Sequence, residues 1–165
     1  MFKKLMNAIG RYRVILDTEN KEPYLERYYL FLKERSTFPF NIFLHKFLKS
    51  DPEELHDHPW NYATLILKGG YYENIPLRNS TTGGVVGSTR VWRGPGHFRY
   101  RKADDLHWLE LEKDEQGNNI PCWSLFFMGK KKKEWGFLPW NGGDTLEERG
   151  YKWIHNEEYL NARNT

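Results

Sequence analysis

The chain has 165 residues, enough for one domain with a real core and too few for two comfortable ones. Its 25 Lys and Arg against 22 Asp and Glu leave a formal charge of +3, without the dense basic clustering of a nucleic-acid-binding face. One cysteine, Cys122, excludes an internal disulfide and fits a reducing cytoplasm, and nothing approaches a membrane span.

Aromatic residues make up 16% of the chain and offset a modest apolar content of 39%, because each buries a large area. Phe2, Leu5, Met6, Ile9 and Tyr12 follow helical spacing and predict a short amphipathic helix. Its apolar run is too short for a secretory signal, and Arg11 and Arg13 interrupt it. A second helix is predicted over residues 23–33, with Tyr24, Tyr28 and Leu32 on one stripe. From Phe38 the pattern changes to short β runs at 41–48, 61–68, 70–75, 85–93, 97–101, 107–111, 121–128 and 134–137. Turn signals fall at 79–84 and 114–119, and a closing helix is predicted over 155–162. The expected organisation is a helical extension at 1–36, a β domain at 37–154 and a helical segment at 155–165. So many short strands with such turns favour a sandwich or small barrel.

The chemistry concentrates at His56-Asp57-His58. In extended chain the two imidazoles project to one side and Asp57 to the other, which makes half of a metal site. A candidate third ligand is His107, which follows a tight turn predicted at 102–105 and leads a strand back into the sheet. Three imidazoles on one metal leave positions open for water, substrate or dioxygen, the layout of a catalytic centre.

These residues resemble the cupin superfamily. Its first motif is a glycine, H-x-H, a glutamate and a closing glycine; His56, His58 and Gly69 or Gly70 match, Ser50 replaces the leading glycine, and Tyr62 and Ala63 occupy the glutamate's place. Its second motif spacing is reproduced from Gly96 to His107, without the proline and second glycine, which Lys102-Ala103-Asp104 replaces. The missing glutamate points towards three-His sites such as those of cysteine-dioxygenase-like thiol dioxygenases. His-Asp-His-Pro-Trp, the following Leu-Lys-Gly-Gly-Tyr, Leu106-His107 and Trp135-Gly136-Phe137 are similar to a group of small bacterial and phage cupin-like proteins. The resemblance covers about residues 40 to 140. It implies a mainly β fold, the cupin-type double-stranded β-helix (a jelly-roll sandwich or barrel), with an N-terminal helical extension and a short C-terminal helix. It further implies a divalent metal on His56, His58 and His107, with iron(II) leading and zinc, manganese or nickel as alternatives. Cupins often pair, so a homodimer is also among its implications.

Other residues carry competing readings. His97, Arg99 and Arg101 alternate, so one strand face carries all three and the other carries Phe98 and Tyr100. If the charged face looks inward, Arg99 and Arg101 clamp a carboxylate or phosphate; if it looks outward, the aromatics fill the core. Tyr62 is either a proton donor to substrate or a ring buried for its area. Glu73 and Glu110 are candidate replacement acids, and His45, flanked by Phe43 and Phe47, reads as a core residue. The lysines at 130–133 read as a solvated turn. Together these predict a metal-dependent oxygenase acting on a small anionic substrate. The alternatives are a sugar-nucleotide-type isomerase or epimerase, and a non-catalytic metal- or ligand-binding module.

Overall fold

The computed structural model describes residues 1–17, 21–33, 38–139, 153–155 and 157–158. Helix α1, Phe2–Ala8, buries Met6 and sets Phe2 against Tyr28, with ring centroids 5.2 Å apart. Twelve strands follow among the described residues. Six form one antiparallel sheet in the order β1 (Tyr12–Leu16), β2 (Pro23–Tyr29), β3 (Phe40–Phe47), β10 (Cys122–Lys131), β5 (Trp60–Lys68) and β8 (Phe98–Arg101). Opposite lie two three-stranded sheets, β7 (Val85–Arg93), β6 (Tyr71–Arg78), β9 (Trp108–Leu111) and β12 (Ile154–His155), β11 (Gly136–Leu138), β4 (Leu55–His56). Reciprocal backbone hydrogen bonds between His56 and His107, both 3.0 Å, stitch β4 to the start of β9 and make these two sheets one layer. The core closes between the layers on Ile66, Cys122, Tyr71, Leu109 and Leu111, with Phe47 packed against them. This is a two-layer antiparallel β-sandwich of the cupin type, as the sequence predicts. No helix among the described residues is long and apolar enough to cross a membrane.

The predicted helix at 23–33 is not formed. Residues 23–29 are strand β2, paired with β1 and with β3 from Leu25↔Phe47 to Tyr29↔Phe43. The expected stripe is split by a register shift at Tyr24: Tyr24 hydrogen-bonds Asp51 and meets Phe47 on the inner face, whereas Tyr28 packs under α1 on the outer one. Tyrosine is also a strand former, and both faces of β2 are used. Tyr28 and Glu26 pack under α1 and its Lys3, while Leu25 and Arg27 face the sandwich interior. The N-terminal helical extension therefore reduces to α1, and residues 12–16 and 23–29 belong to the large sheet. At the other end His155 stands in β12, and the helix expected over 155–162 otherwise falls largely outside the described residues. Both expected turns form: Asn79 Oδ1 accepts from the Thr81 and Thr82 amides, and Asp114 Oδ1 accepts from those of Gln116 and Asn118.

The large sheet decides the orientation of β8. Phe98 and Tyr100 are 60% and 56% exposed, whereas Arg101 is 5% exposed, so the charged face of this strand is the inner one. Its register against β5 sets Arg101 opposite Tyr62 and Arg99 opposite Thr64. The interior row continues through Ser124 and Phe126 of β10 to His45 and Phe43 of β3. His45 is a core residue, stacked on Phe126 at 4.9 Å and accepting from Arg27 Nε at 3.0 Å.

Candidate metal centre

The H-x-H segment is pinned by its middle residue. Asp57 points away from the histidines, accepts from the Gly136 amide (2.8 Å), from Lys133 Nζ (2.6 Å) and from Trp153 Nε1 (3.1 Å), and is buried. Lys133 also reaches Asp104 at 2.6 Å, so this lysine of the 130–133 turn is part of the scaffold rather than simply solvated. Gly136 is required here, because a Cβ would meet the Ile154 carbonyl oxygen at 2.1 Å. The His58 amide donates to the Ala103 carbonyl (3.0 Å), which ties H-x-H to the turn before His107. That turn closes with Asp105 N donating to Lys102 O (3.1 Å).

These constraints bring His56, His58 and His107 together. Their ring centroids are 5.2, 5.3 and 5.1 Å apart in pairs, and one nitrogen from each lies within 4.8 Å of the others. His58 Nε2 and His107 Nε2 are 2.8 Å apart. His56 Nδ1 faces the Glu54 carbonyl at 3.3 Å, leaving Nε2 as the outward donor. All three rings thus turn a nitrogen towards one point, and the donor set fits a metal ion. Burial lowers the proton affinity of His56, against the pull of Asp51, and lowers that of His58 strongly, His107 adding to it in both cases. Both rings are thereby held in the neutral form a metal requires.

The third ring is oriented from behind. Glu73 Oε1 accepts from His107 Nδ1 at 3.1 Å, which fixes the tautomer and turns the Nε2 lone pair into the site. Glu73 also receives Arg93 Nε at 2.8 Å and Arg101 Nη2. Burial alone would raise its carboxyl, but the hydrogen bond and charge of His107, together with Arg101, hold it well below the usual carboxylate range. Tyr62, on the interior face of β5, sets its hydroxyl 2.9 Å from His107 Nε2, and burial keeps the phenol protonated well above its ordinary range. Asp51 lies on the donor side of His56, its Oδ2 3.9 Å from Nε2 while accepting from the Leu109 amide at 2.7 Å.

Of the residues singled out in the sequence, the structure gathers His56, His58, His107 and Tyr62 at one point and brings Arg101 to it through Glu73. Arg99 sits two residues further along β8. Glu110 is turned to the surface in a paired contact with Arg90, at 2.8 and 3.0 Å, and is no part of the centre. Trp135 borders His56 at 6.3 Å between ring centroids. Sequence reading missed Arg93 and Asp51. Arg93 ends an alternating strand on its inward parity, which is a signal; Asp51 sits in a loop and gives none.

The sandwich with three histidines at one end defines a cupin fold carrying a centre competent to bind a metal. No protein-family model matches the chain, and no curated protein matches it. Among solved structures it is similar to the polyketide cyclase RemF from Streptomyces resistomycificus, at 14% identity over 74% of this chain and 77% of that one, with a TM-score of 0.51. It is also similar to a cupin superfamily protein from Desulfitobacterium hafniense DCB-2, at 14% identity over 70% and 83% of the two chains, with a TM-score of 0.43. A third is the hydroxypropylphosphonic acid epoxidase from S. wedmorenis, at 11% identity and a TM-score of 0.47; the match takes in 72% of this chain and 55% of that one. At these identities the likeness is one of fold.

Proposed function

We propose that the protein is a metal-dependent oxygenase acting on a small anionic substrate. The observation that carries this reading is the convergence of three histidine nitrogens on one point, while the acids around them are engaged elsewhere: Glu73 on the His107 Nδ1 side, and Asp51, 3.9 Å from His56 Nε2, with Tyr24 and the Leu109 amide. His56, His58 and His107 would hold the ion. Iron(II) suits three imidazoles with free neighbouring positions, and would supply the ability to bring dioxygen and substrate together. Tyr62 holds a proton beside His107 Nε2 and offers it to a substrate atom bound at that corner. Arg101 positions His107 by way of Glu73, and Arg99 faces the interior as an anchor for substrate charge. The inner sheet faces exclude water from the histidine end.

Metal analysis of the purified protein, followed by oxygen-electrode measurements across thiols and small acids with added iron(II), tests the proposal. Oxygen uptake dependent on iron and on one substrate class is the expected result. A tightly held zinc with no oxygen uptake for any substrate would refute it.

A further inference from the structure

Three buried side-chain nitrogens lie without a hydrogen-bond partner along the inward face of β8 and the residue before it: His97 Nε2, Arg99 Nε and Arg101 Nε. Such groups are uncommon, because burial removes their hydration and nothing replaces it. All three have the same strand parity and project to one side. Arg101 is committed through Nη2 to Glu73, whose other oxygen receives Arg93. Arg99, by contrast, pairs with no described residue. Arg93 and Arg101 meet on Glu73, and Arg99 follows on the same face of β8 two residues from Arg101. Three guanidiniums against one carboxylate leave two positive charges uncompensated, Arg93 and Arg101 being nearly buried and Arg99 half-buried with its Nε out of contact with solvent. Uncompensated charge away from water is costly, so the site is built for something that is not protein.

We propose that the Arg99 side of β8 binds a doubly charged oxyanion, the phosphate monoester end of a small molecule whose other end reaches the three histidines. This deepens the substrate class given above and rests on that reading only for the second half of the sentence. A dianion cancels the surplus of two charges, whereas a monocarboxylate leaves one. Tetrahedral phosphate oxygens can accept from the Arg99 fork and from His97 together. Arg99 stands two residues from Arg101, and Arg101 is level with Tyr62. The anion therefore sits about 6–7 Å along the strand from the metal end, a span of a few bonds. Arg101 is a positioning residue in this arrangement, and Arg99 is the residue that touches substrate.

The test uses inorganic phosphate as the probe, titrated by calorimetry at fixed ionic strength into the full chain after a chelator has removed metal. Saturable phosphate binding is expected, weakened at least tenfold in Arg99→Gln and unchanged within twofold in Lys130→Gln. In phosphate-free buffer Arg99→Gln should melt at or above the temperature of the parent, since it removes an uncompensated cation, and phosphate should no longer raise it. Arg99→Lys keeps the charge without the fork, and its binding should fall several-fold with an unaltered circular dichroism spectrum. Equal phosphate affinity in the parent and Arg99→Gln would overturn the proposal. So would acetate binding as tightly as phosphate, or malonate binding more tightly than phosphate. Because the protein is metal-free in every arm, these failures leave the histidine centre standing; His58→Ala, which strikes that centre, should leave phosphate binding intact.

Discussion

Glu73→Gln tests the centre most severely, because it removes one charge and almost no volume. In the parent the carboxylate serves three donors: His107 Nδ1 at 3.1 Å, Arg93 Nε at 2.8 Å and Arg101 Nη2. Its side chain is 4% exposed, and those of Arg93 and Arg101 are 11% and 7% exposed. Removing one partner of a buried ion pair costs about 3–5 kcal/mol, because the remaining charge stays buried and unpaired. The glutamine oxygen still accepts one hydrogen bond, so the lower end, about 3 kcal/mol, is the expected loss. For a domain of this size that lowers the melting temperature by roughly 6–12 °C. The pH dependence follows from the same group. Its folded carboxyl titrates below the unfolded value, so the stability it confers is complete at neutral pH, declines as pH falls below about 4.3, and is lost only well below that. Glu73→Gln should abolish this acid slope. Metal affinity should drop about 10–100-fold, as happens when the group orienting a ligating histidine is removed. Thermal and urea unfolding across pH 3–7, with a metal titration at pH 7, measure all three. An unchanged melting temperature with an unchanged acid slope would show that Glu73 is not the shared anion of this network.

Alanine at His56, His58 or His107 should each reduce bound metal well below one equivalent while leaving a folded β protein; full occupancy in His107→Ala would disqualify the triad and turn attention to Glu73 or His97. Tyr62→Phe keeps the ring stacked on Phe126 and should leave metal content unchanged while slowing turnover about 10²–10⁴-fold, the usual loss when a positioned proton donor is removed; equal turnover would mean the hydroxyl is only structural. Cys122 is fully buried and its thiol is pushed up to about 12 by burial, so a disulfide reagent should modify it only in denaturant, and rapid labelling of native protein would contradict the packing of the core.

Most of the sandwich was legible because its strands alternate or run apolar between clear turn residues, and the eight expected β segments correspond to strands within a few residues. The misreading of β2 came from a tyrosine spacing of four that suits a helical stripe, whereas the strand is irregular at Tyr24; only the pairing of Leu25 with Phe47 resolves it. The two-residue strand β4 was invisible, since Leu55–His56 owes its form to β11 and to the bridge with His107 rather than to local preference. At the site, H-x-H and the spacing to His107 were readable, but the role of Glu73 was not. That role depends on β6 lying beside β9, which sets Glu73 against Leu109 and close to His107. Strand parity grouped His97, Arg99 and Arg101 without saying which face was inside, a question settled by the outward position of Phe98 and Tyr100.

The distribution of charge ties the histidine centre to the arginines. At the place where a glutamate would stand in the cupin motif, this chain has Tyr62, a buried phenol that carries no charge at neutral pH. One acid that approaches, Glu73, lies behind His107 and is already shared with Arg93 and Arg101. Asp51, 3.9 Å from His56 Nε2, is the one described carboxylate on the donor side, so a divalent ion held on three imidazoles would keep part of its charge, and its field would add to that of the interior arginines. An anionic substrate would meet attraction at both ends of the interior, at the metal and at Arg99, and a neutral one at neither. Selection by charge would thus be a property of the whole inner face, distributed between β8 and the H-x-H segment.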